Sequence, residues 1–133
     1  MLQPLALQCL AHPAGLAVSP DECSLFVCET MANRVLRFVQ KPAGVFHFSV
    51  FHQFSGGLGP SGVACDKAGN VYIGRFDFAE GGCGGSVAVL SPKGVLLQET
   101  DCPGSEVSGI VVSGETVYVS ESSGDTVYSM PTV

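Results

Sequence analysis

Short apolar segments, each closed by a turn rich in glycine, proline or aspartate, follow one another along the whole chain. Apolar and polar residues alternate most clearly at 46–54 (FHFSVFHQF), which is typical of a strand with one buried face. No stretch keeps the period of 3.6 residues that an amphipathic helix requires. The pattern predicts strands at residues 15–19, 25–30, 34–40, 46–54, 62–66, 71–76, 86–91, 95–100, 109–113, 116–121 and 126–130.

These strands repeat. Gly15, Gly62 and Gly109 lie 47 residues apart, and they open the segments GLAVSP, GVACDK and GIVVSG. A fixed repeat of this length, built from short strands and tight turns, is typical of β-propeller blades. The sequence therefore predicts an all-β propeller chain, with three four-stranded blades at about residues 12–55, 59–101 and 106–133. In the second strands the equivalent positions are 46 residues apart, and they hold Phe26, Tyr72 and Tyr118.

The third repeat lacks a fourth strand before the sequence stops at Val133. Residues 4–10 are predicted to supply it, because the sequence LALQ at 5–8 resembles VLLQ at 95–98 in the second repeat. A trimmed targeting segment is the other interpretation of this terminus. No Lys or Arg precedes its apolar residues, so it is a poor secretory signal.

Three blades are too few to close a ring. Two copies related by a two-fold axis would supply six, and closed two-fold dimers are the commonest homo-oligomers. The sequence therefore predicts a six-bladed ring formed by a homodimer, in which each N-terminal strand completes the last blade of the partner. The alternative is that this chain is a fragment of a longer six-bladed polypeptide. The initial Met1 and the complete strand set favour the dimer.

Composition and net charge narrow the range of expected binding partners. The 133 residues are 46% hydrophobic and 14% charged, which suffices for a core, and the formal net charge is −6. Nucleic acids and anionic membranes require a basic face, so neither is an expected partner. No apolar run approaches the length of a membrane helix. The expected partners are a second copy and a small-molecule ligand.

The six cysteines have no metal-binding spacing. Disulfides are one interpretation of an even number. Small buried thiols in a reducing compartment are the other, and without a secretory signal they are favoured, with a cytoplasmic location. Cys83 lies within a run of glycines at 81–85 and is the candidate reactive thiol.

The candidate chemistry lies where second strands end and first strands begin. Crowded carboxylates at such a pocket mouth would serve as acid and base, and a guanidinium would clamp a substrate carboxylate. The alternatives are that the glutamates pair with arginines between blades, that the arginine and aspartate brace a loop, and that the serines are turn residues. The predicted catalytic residues are Glu29, Arg75 and Glu121, and the predicted substrate-binding residues are His12, Ser61, Ser108 and Asp77.

The sequence at 15–38 (GLAVSPDECSLFVCETMANRVLRF) resembles the family of gluconolactonases, senescence marker protein and strictosidine synthase-like propellers. So do residues 59–76, 85–99 and 105–130. The resemblance implies a six-bladed ring with a central pocket. In many members it also implies one divalent cation, calcium or zinc, and the opening of lactone or ester bonds. In strictosidine synthases a glutamate begins a late inner strand, and Ser108 takes that position here.

The resemblance also implies metal ligands that this sequence lacks. Where lactonase members have Asn and Asp before two inner strands, this chain has Ala14 and Ser61. A methyl group donates nothing to a cation, and a hydroxyl is a poor substitute for a carboxylate. We therefore assign no metal ligand, and a divalent cation such as calcium or zinc stays the one cofactor that the resemblance leaves open. Two functions follow: a lactonase-like propeller with a degenerate metal site that binds a small molecule, or a non-catalytic propeller that serves as a binding scaffold. An inactive remnant of a duplicated gene is a third interpretation.

Overall fold

The computed structural model describes residues 1–77 and 84–133. A short 3₁₀ helix (Thr30–Ala32) follows the second strand, and the rest of the regular structure is β-sheet. The strands are β1 (Pro13–Val18), β2 (Ser24–Glu29), β3 (Arg34–Gln40), β4 (Phe46–Gln53), β5 (Gly59–Cys65), β6 (Val71–Phe76), β7 (Ser86–Leu90), β8 (Leu96–Asp101), β9 (Val107–Ser113), β10 (Thr116–Glu121) and β11 (Thr126–Pro131).

The strands form three antiparallel sheets in which neighbours in sequence are neighbours in space. Sheet 1 has the order β1-β2-β3-β4, sheet 2 has β5-β6-β7-β8, and sheet 3 has β9-β10-β11. The first strands lie side by side, β1 against β5 and β5 against β9, and we call them the inner strands. The predicted all-β, propeller-like architecture is therefore confirmed.

Each inner strand begins earlier than predicted because its pairing with the second strand of the sheet continues beyond a β-bulge. The predicted starts were residues 15, 62 and 109, whereas the observed ones are 13, 59 and 107. Beyond each irregularity the pairing resumes at Pro13 with Glu29, at Pro60 with Arg75 and at Val107 with Glu121. A bulge inserts a residue without ending the ladder, so the alternation pattern breaks before the strand does.

Residues 4–10, predicted as a strand, form no strand in this structure, which corrects that prediction for the single chain. Instead Ala6 and Leu10 pack against an apolar cluster of sheet 1 that contains Val27, Leu36 and Phe38. A strand forms only beside another strand whose backbone groups it can pair with. The strand predicted to receive residues 4–10 was the last one of a partner chain, which a single chain does not contain. In its absence the segment covers the nearest apolar face.

Two apolar layers hold the sheets together. The layer between sheets 1 and 2 includes Phe26, Cys28 and Ile73, and the layer between sheets 2 and 3 includes Tyr72 and Val119. Sheet 2 is thus covered on both faces, whereas sheets 1 and 3 each pack on a neighbouring sheet with one face only.

The described cysteines are free thiols in this structure. Burial raises the pKa of Cys28 to about 12 and that of Cys65 to about 11, so both stay protonated and unreactive at neutral pH. Cys83 lies outside the described residues. In the part of the chain that the structure describes, no helix is long and apolar enough to cross a bilayer.

Candidate functional site

The predicted site residues gather at one end of the three sheets, which we call the mouth end. There each inner strand begins and each second strand ends, so the bulged residues Ala14, Ser61 and Ser108 lie at equivalent places. Bulges are frequent beside functional sites because they re-aim side chains. The mouth end is therefore where a site built from the repeat would lie.

Glu29 is 1% exposed, and both of its carboxylate oxygens are hydrogen-bonded within the chain. Oε1 accepts from Arg34 Nε at 2.6 Å, and Oε2 accepts from the backbone N–H of Ala11 at 2.8 Å. Burial alone would raise the pKa of this carboxyl, but the bonds from Arg34 and Ala11 outweigh it and the pKa is lowered. Glu29 thus ties the segment before β1 to sheet 1, and its arginine partner lies in the same sheet, not in a neighbouring one.

The lowered pKa of Glu29 predicts an acid-sensitive fold. Its charged form contributes stability above the unfolded pKa near 4.5, and that contribution is lost as the pH falls through the folded value. We expect Glu29→Gln to cost about 2 kcal/mol at neutral pH, because a charge-assisted bond is lost. We also expect it to flatten the decline in stability below pH 4.5, measured by urea unfolding. The exposed Glu115→Gln is the matched control, and equal pH profiles for the two variants would contradict this role.

The Glu121 carboxylate is also fixed by hydrogen bonds, from the segment before β9 and from the turn that follows β10. Its Oε1 accepts from the backbone N–H of Glu106 at 3.1 Å, from the backbone N–H of Ser123 at 3.1 Å and from the Ser123 hydroxyl. Its Oε2 accepts from Gly124 N–H at 2.8 Å. The bond from the Ser123 hydroxyl is the main reason that the pKa of Glu121 is lowered. This carboxylate is buried and organises the turn between β10 and β11.

Arg75 has different surroundings. Its guanidinium donates to Glu99 Oε1 at 3.1 Å and to the Gly56 carbonyl at 2.9 Å, and its carbon lies 4.3 Å from the centre of the Phe54 ring. Ser86 Oγ donates to the same Glu99 oxygen at 3.0 Å. Arg75 Nε is buried and has no hydrogen-bond partner among the described residues. An unsatisfied buried donor is costly, so an acceptor that reached this N–H would be held strongly.

A cavity of about 320 Å³ lies beside Arg75 at the mouth end of sheet 2. One cation and three carboxylates share its wall, so it offers both donors and acceptors to a polar ligand. The predicted pair Arg75 and Asp77 meets here, and the Asp77 backbone N–H also donates to the Ser105 carbonyl at 3.1 Å. The lining includes Gly56, Arg75, Asp77, Ser86, Glu99 and Asp101.

The other predicted binding residues lie at the mouth end but not in this cavity. Ser61 is buried, with its hydroxyl against the carbonyls of Gly74 and Val107. Ser108 accepts from the Ser122 hydroxyl at 2.8 Å and lies 3.1 Å from Ser120 Oγ. His12 is exposed, and its carbonyl accepts from Thr30 N–H at 3.1 Å. Their roles in binding a substrate stay predictions.

The structure brings Arg75 and Asp77 together with two residues that the sequence did not indicate, Glu99 and Asp101. Both acidic residues come from β8, the outer strand of sheet 2, opposite Ala88 and Ser86. The polar end of the segment LLQETD at 96–101 was the available signal. Glu29 and Glu121 each bond to groups in their own sheet and loops, and the hydrogen bonds of Arg75 join it to neither.

The residues present do not fit the divalent cation that the resemblance implies. Ala14 has no donor atom, and the Ser61 hydroxyl is directed at backbone carbonyls. Within residues 1–77 and 84–133, no group of three or more His, Cys, Asp or Glu side chains is placed to hold a metal ion. Hard cations need several carboxylate and carbonyl oxygens that converge on one point. The three carboxylates on the cavity wall do not converge in this way among the described residues.

Comparison with known proteins decides the family. The sequence profile of the SMP-30/gluconolactonase/LRE-like region matches residues 4–130, nearly the whole chain. This chain belongs to that family. A lactonase drp35 from Staphylococcus saprophyticus is 30% identical over 117 residues, which are 85% of this chain and 34% of the relative. The chain thus spans about a third of the length of the curated relatives it matches.

Solved structures of similar proteins share the fold. A gluconolactonase from Xanthomonas campestris superposes with a TM-score of 0.73 at 28% identity, over 92% of this chain and 38% of that one. A calcium-binding regucalcin from Agrobacterium tumefaciens gives a TM-score of 0.65 at 23% identity, over 81% of this chain and 37% of that one. The predicted recognition of the gluconolactonase family is confirmed. The likeness to strictosidine synthases stays a prediction.

Proposed function

We propose that this chain is a lactonase-like propeller protein that binds a small, oxygen-rich molecule, a lactone or the hydroxy acid formed from it, at the mouth end. The observation that carries the proposal is the buried, unpaired Nε–H of Arg75 beside a polar cavity of about 320 Å³. Small-molecule sites are concave and place a few polar groups to orient the ligand.

Arg75 is the residue best suited to hold the ligand. Its position is fixed by Glu99, Gly56 and the ring of Phe54, so little side-chain freedom remains to be lost on binding. A carbonyl or carboxylate oxygen is the acceptor that complements the Nε–H. The carboxylates of Glu99 and Asp101, on the same wall, complement ligand hydroxyls.

The same arrangement suits ring opening of a lactone. Water adds to the carbonyl carbon, the ring carbon–oxygen bond breaks, and the departing oxygen takes a proton to become a hydroxyl group. Arg75 would stabilise the charge that develops on the carbonyl oxygen. Glu99, bonded to Arg75 and Ser86, is the carboxylate that could accept a proton from the water. Because both oxygens of Glu29 and Glu121 are already bonded, their predicted catalytic role has less support than that of Arg75.

Titration calorimetry with gluconate, the ring-opened acid, tests the proposal. We expect saturable binding, and we expect Arg75→Gln to weaken it by about 10–100-fold, the worth of one charge-assisted hydrogen bond. Arg37→Gln is the matched control, because Arg37 lies in sheet 1 and bonds to Ser24 instead. Equal affinity in the two variants, or no binding by the unmodified protein, would overturn the proposal.

The second candidate function is a non-catalytic binding scaffold. It is favoured by Ala14 and Ser61, which supply no metal ligand where the resemblance implies two. A pH-stat assay of gluconolactone hydrolysis, with and without added calcium or zinc, distinguishes the two candidate functions. Turnover that exceeds the spontaneous rate, and that falls in the Arg75→Gln variant, supports lactonase activity. Gluconate binding without turnover supports the scaffold.

A further inference from the structure

A second cavity, of about 270 Å³, lies between sheets 1 and 2 at the end opposite the mouth end. Three turns contribute to its rim: the turn between β1 and β2, the turn between β5 and β6, and the turn between β7 and β8. Its lining includes the charged side chains of Asp21, Arg37 and Lys67 and the apolar side chains of Pro20, Phe26 and Pro92. Sheets 1 and 2 both have four strands, so this cavity is formed wholly within the chain.

The cavity marks a departure of sheet 1 from the repeat. In sheet 2, Tyr72 pairs with Val89, and both are fully buried in the layer between sheets 2 and 3. The corresponding pair in sheet 1 is Phe26 with Arg37, and Arg37 is exposed. A guanidinium group cannot be packed into an apolar layer without a partner for its charge. The layer between sheets 1 and 2 therefore stays open beside Arg37, where the equivalent layer closes over Val89.

Arg37 and Lys67 concentrate positive charge in this cavity. The acidic chain has 6 Lys and Arg side chains, and Arg34 and Arg75 are ion-paired. Among the described residues, neither Arg37 nor Lys67 forms an ion pair. Arg37 Nε donates to Ser24 Oγ at 2.8 Å, which leaves the two terminal nitrogens of the guanidinium for another acceptor. Like charges gathered in one place repel each other, and an anion bound between them removes that cost.

Asp21 does not neutralise the two cations. Its Oδ1 accepts from Ser19 Oγ at 2.5 Å and from the backbone N–H of Cys23 at 3.0 Å. The bond from the Ser19 hydroxyl is the main reason that the pKa of Asp21 is lowered, and the charge of Arg37 contributes less than either hydrogen bond. The Asp21 carboxylate is thus held by its own turn, and positive charge predominates on the wall of the cavity.

We propose that this cavity binds the phosphate group of a small phosphorylated molecule. Arg37 belongs to sheet 1 and Lys67 to a turn of sheet 2, so the two cations reach a bound anion from different walls. A tetrahedral phosphate offers oxygens in several directions and complements this arrangement, whereas a carboxylate presents both of its oxygens to one side. The apolar side chains on the lining, Pro20, Phe26 and Pro92, complement the carbon part of such a molecule.

Nuclear magnetic resonance of the ¹⁵N-labelled protein, titrated with inorganic phosphate at constant ionic strength, tests the site. We expect saturable shifts of the backbone amides of Ala68 and Gly69, which line the cavity. Two charge-assisted contacts correspond to a dissociation constant on the order of 1 mM. Glycerol phosphate should bind at least as tightly as inorganic phosphate. Acetate should bind about tenfold more weakly or not at all.

Three charge-neutralising variants locate the bound phosphate. Arg37→Gln and Lys67→Gln should each weaken phosphate binding by about tenfold, because each removes one charge-assisted contact. Both side chains are exposed, so an unchanged far-ultraviolet circular dichroism spectrum is expected for each variant. Lys41→Gln is the matched control, because Lys41 lies in the exposed turn between β3 and β4, away from this lining. It should bind phosphate as the unmodified protein does.

Asp21→Asn should change the affinity in the opposite direction. The amide oxygen can still accept the bonds from Ser19 and Cys23, while the negative charge beside the bound phosphate is removed. We expect phosphate to bind about threefold more tightly. Weaker binding in this variant would show that Asp21 only shapes the turn and would count against a site that depends on charge.

The absence of saturable shifts with phosphate would overturn the proposal. Equal affinities in Arg37→Gln, Lys67→Gln and Lys41→Gln would overturn it too, and so would acetate binding as tight as that of phosphate. The Arg75→Gln variant should bind phosphate normally, because Arg75 lies at the mouth end. The phosphate site and the proposed lactone site can therefore fail separately.

Discussion

Gly59→Ala is expected to cost about 4 kcal/mol or more of unfolding free energy. Gly59 has a φ of +137°, which residues with a side chain rarely adopt. A Cβ there would lie 2.0 Å from the carbonyl oxygen of Thr30, a backbone atom of the 3₁₀ helix that cannot move freely. Thr30 is fixed further by the bond from its hydroxyl to the Pro60 carbonyl at 2.7 Å.

Gly44→Ala is the matched control for this experiment. Gly44 also has a positive φ, +85°, but nothing lies within 4 Å of the position that its Cβ would take. Its substitution should cost only the backbone strain, about 1 kcal/mol. Both values come from urea unfolding followed by circular dichroism. A Gly59→Ala variant as stable as Gly44→Ala would show that the close approach of the chain to Thr30 is not rigid.

Phe26→Ala is expected to cost about 3–5 kcal/mol, the usual penalty for removing a buried aromatic ring. Phe26 lies between sheets 1 and 2, and its ring meets the edge of Phe51 with centroids 4.8 Å apart. Removing it leaves a cavity in the layer that joins the first two sheets. Thermal and urea unfolding measure the loss.

Phe46→Ala removes an aromatic ring of the same size from β4, where the ring is exposed. We expect it to cost clearly less than Phe26→Ala, because Phe46 is already 37% exposed whereas Phe26 is 4% exposed. If both substitutions cost the same, the layer between sheets 1 and 2 would not be a principal source of stability.

The repeat made the fold predictable, whereas local deviations from it were not. Eleven strands follow from alternation and turn residues, because each strand needs one buried face and each turn a permissive residue. The strand starts differ because Ser61 and Ser108 are bulged, and a bulge leaves no mark in the alternation. The strand predicted at residues 4–10 failed because a strand exists only where an edge accepts it.

The site was predictable only in part, for a related reason. Arg75 and Asp77 are two residues apart, so a sequence reveals their proximity directly. Glu99 reaches Arg75 from 24 residues away through the β6-β7-β8 pairing, which sequence does not display. Glu29 and Glu121 were expected to face a pocket, but backbone N–H groups bind them, and such donors have no signature in a sequence.

The composition of β11 bears on the solubility of the protein. The strand reads TVYSMP, with no charged side chain along the edge of sheet 3, and Pro131 blocks only its last position. Natural edge strands usually carry lysine or several prolines, because an unprotected edge accepts strands from any neighbouring molecule. If β11 stays unpaired, the protein should therefore precipitate under conditions in which each molecule is still folded. On storage, the concentration of dissolved protein should fall before the folded structure is lost.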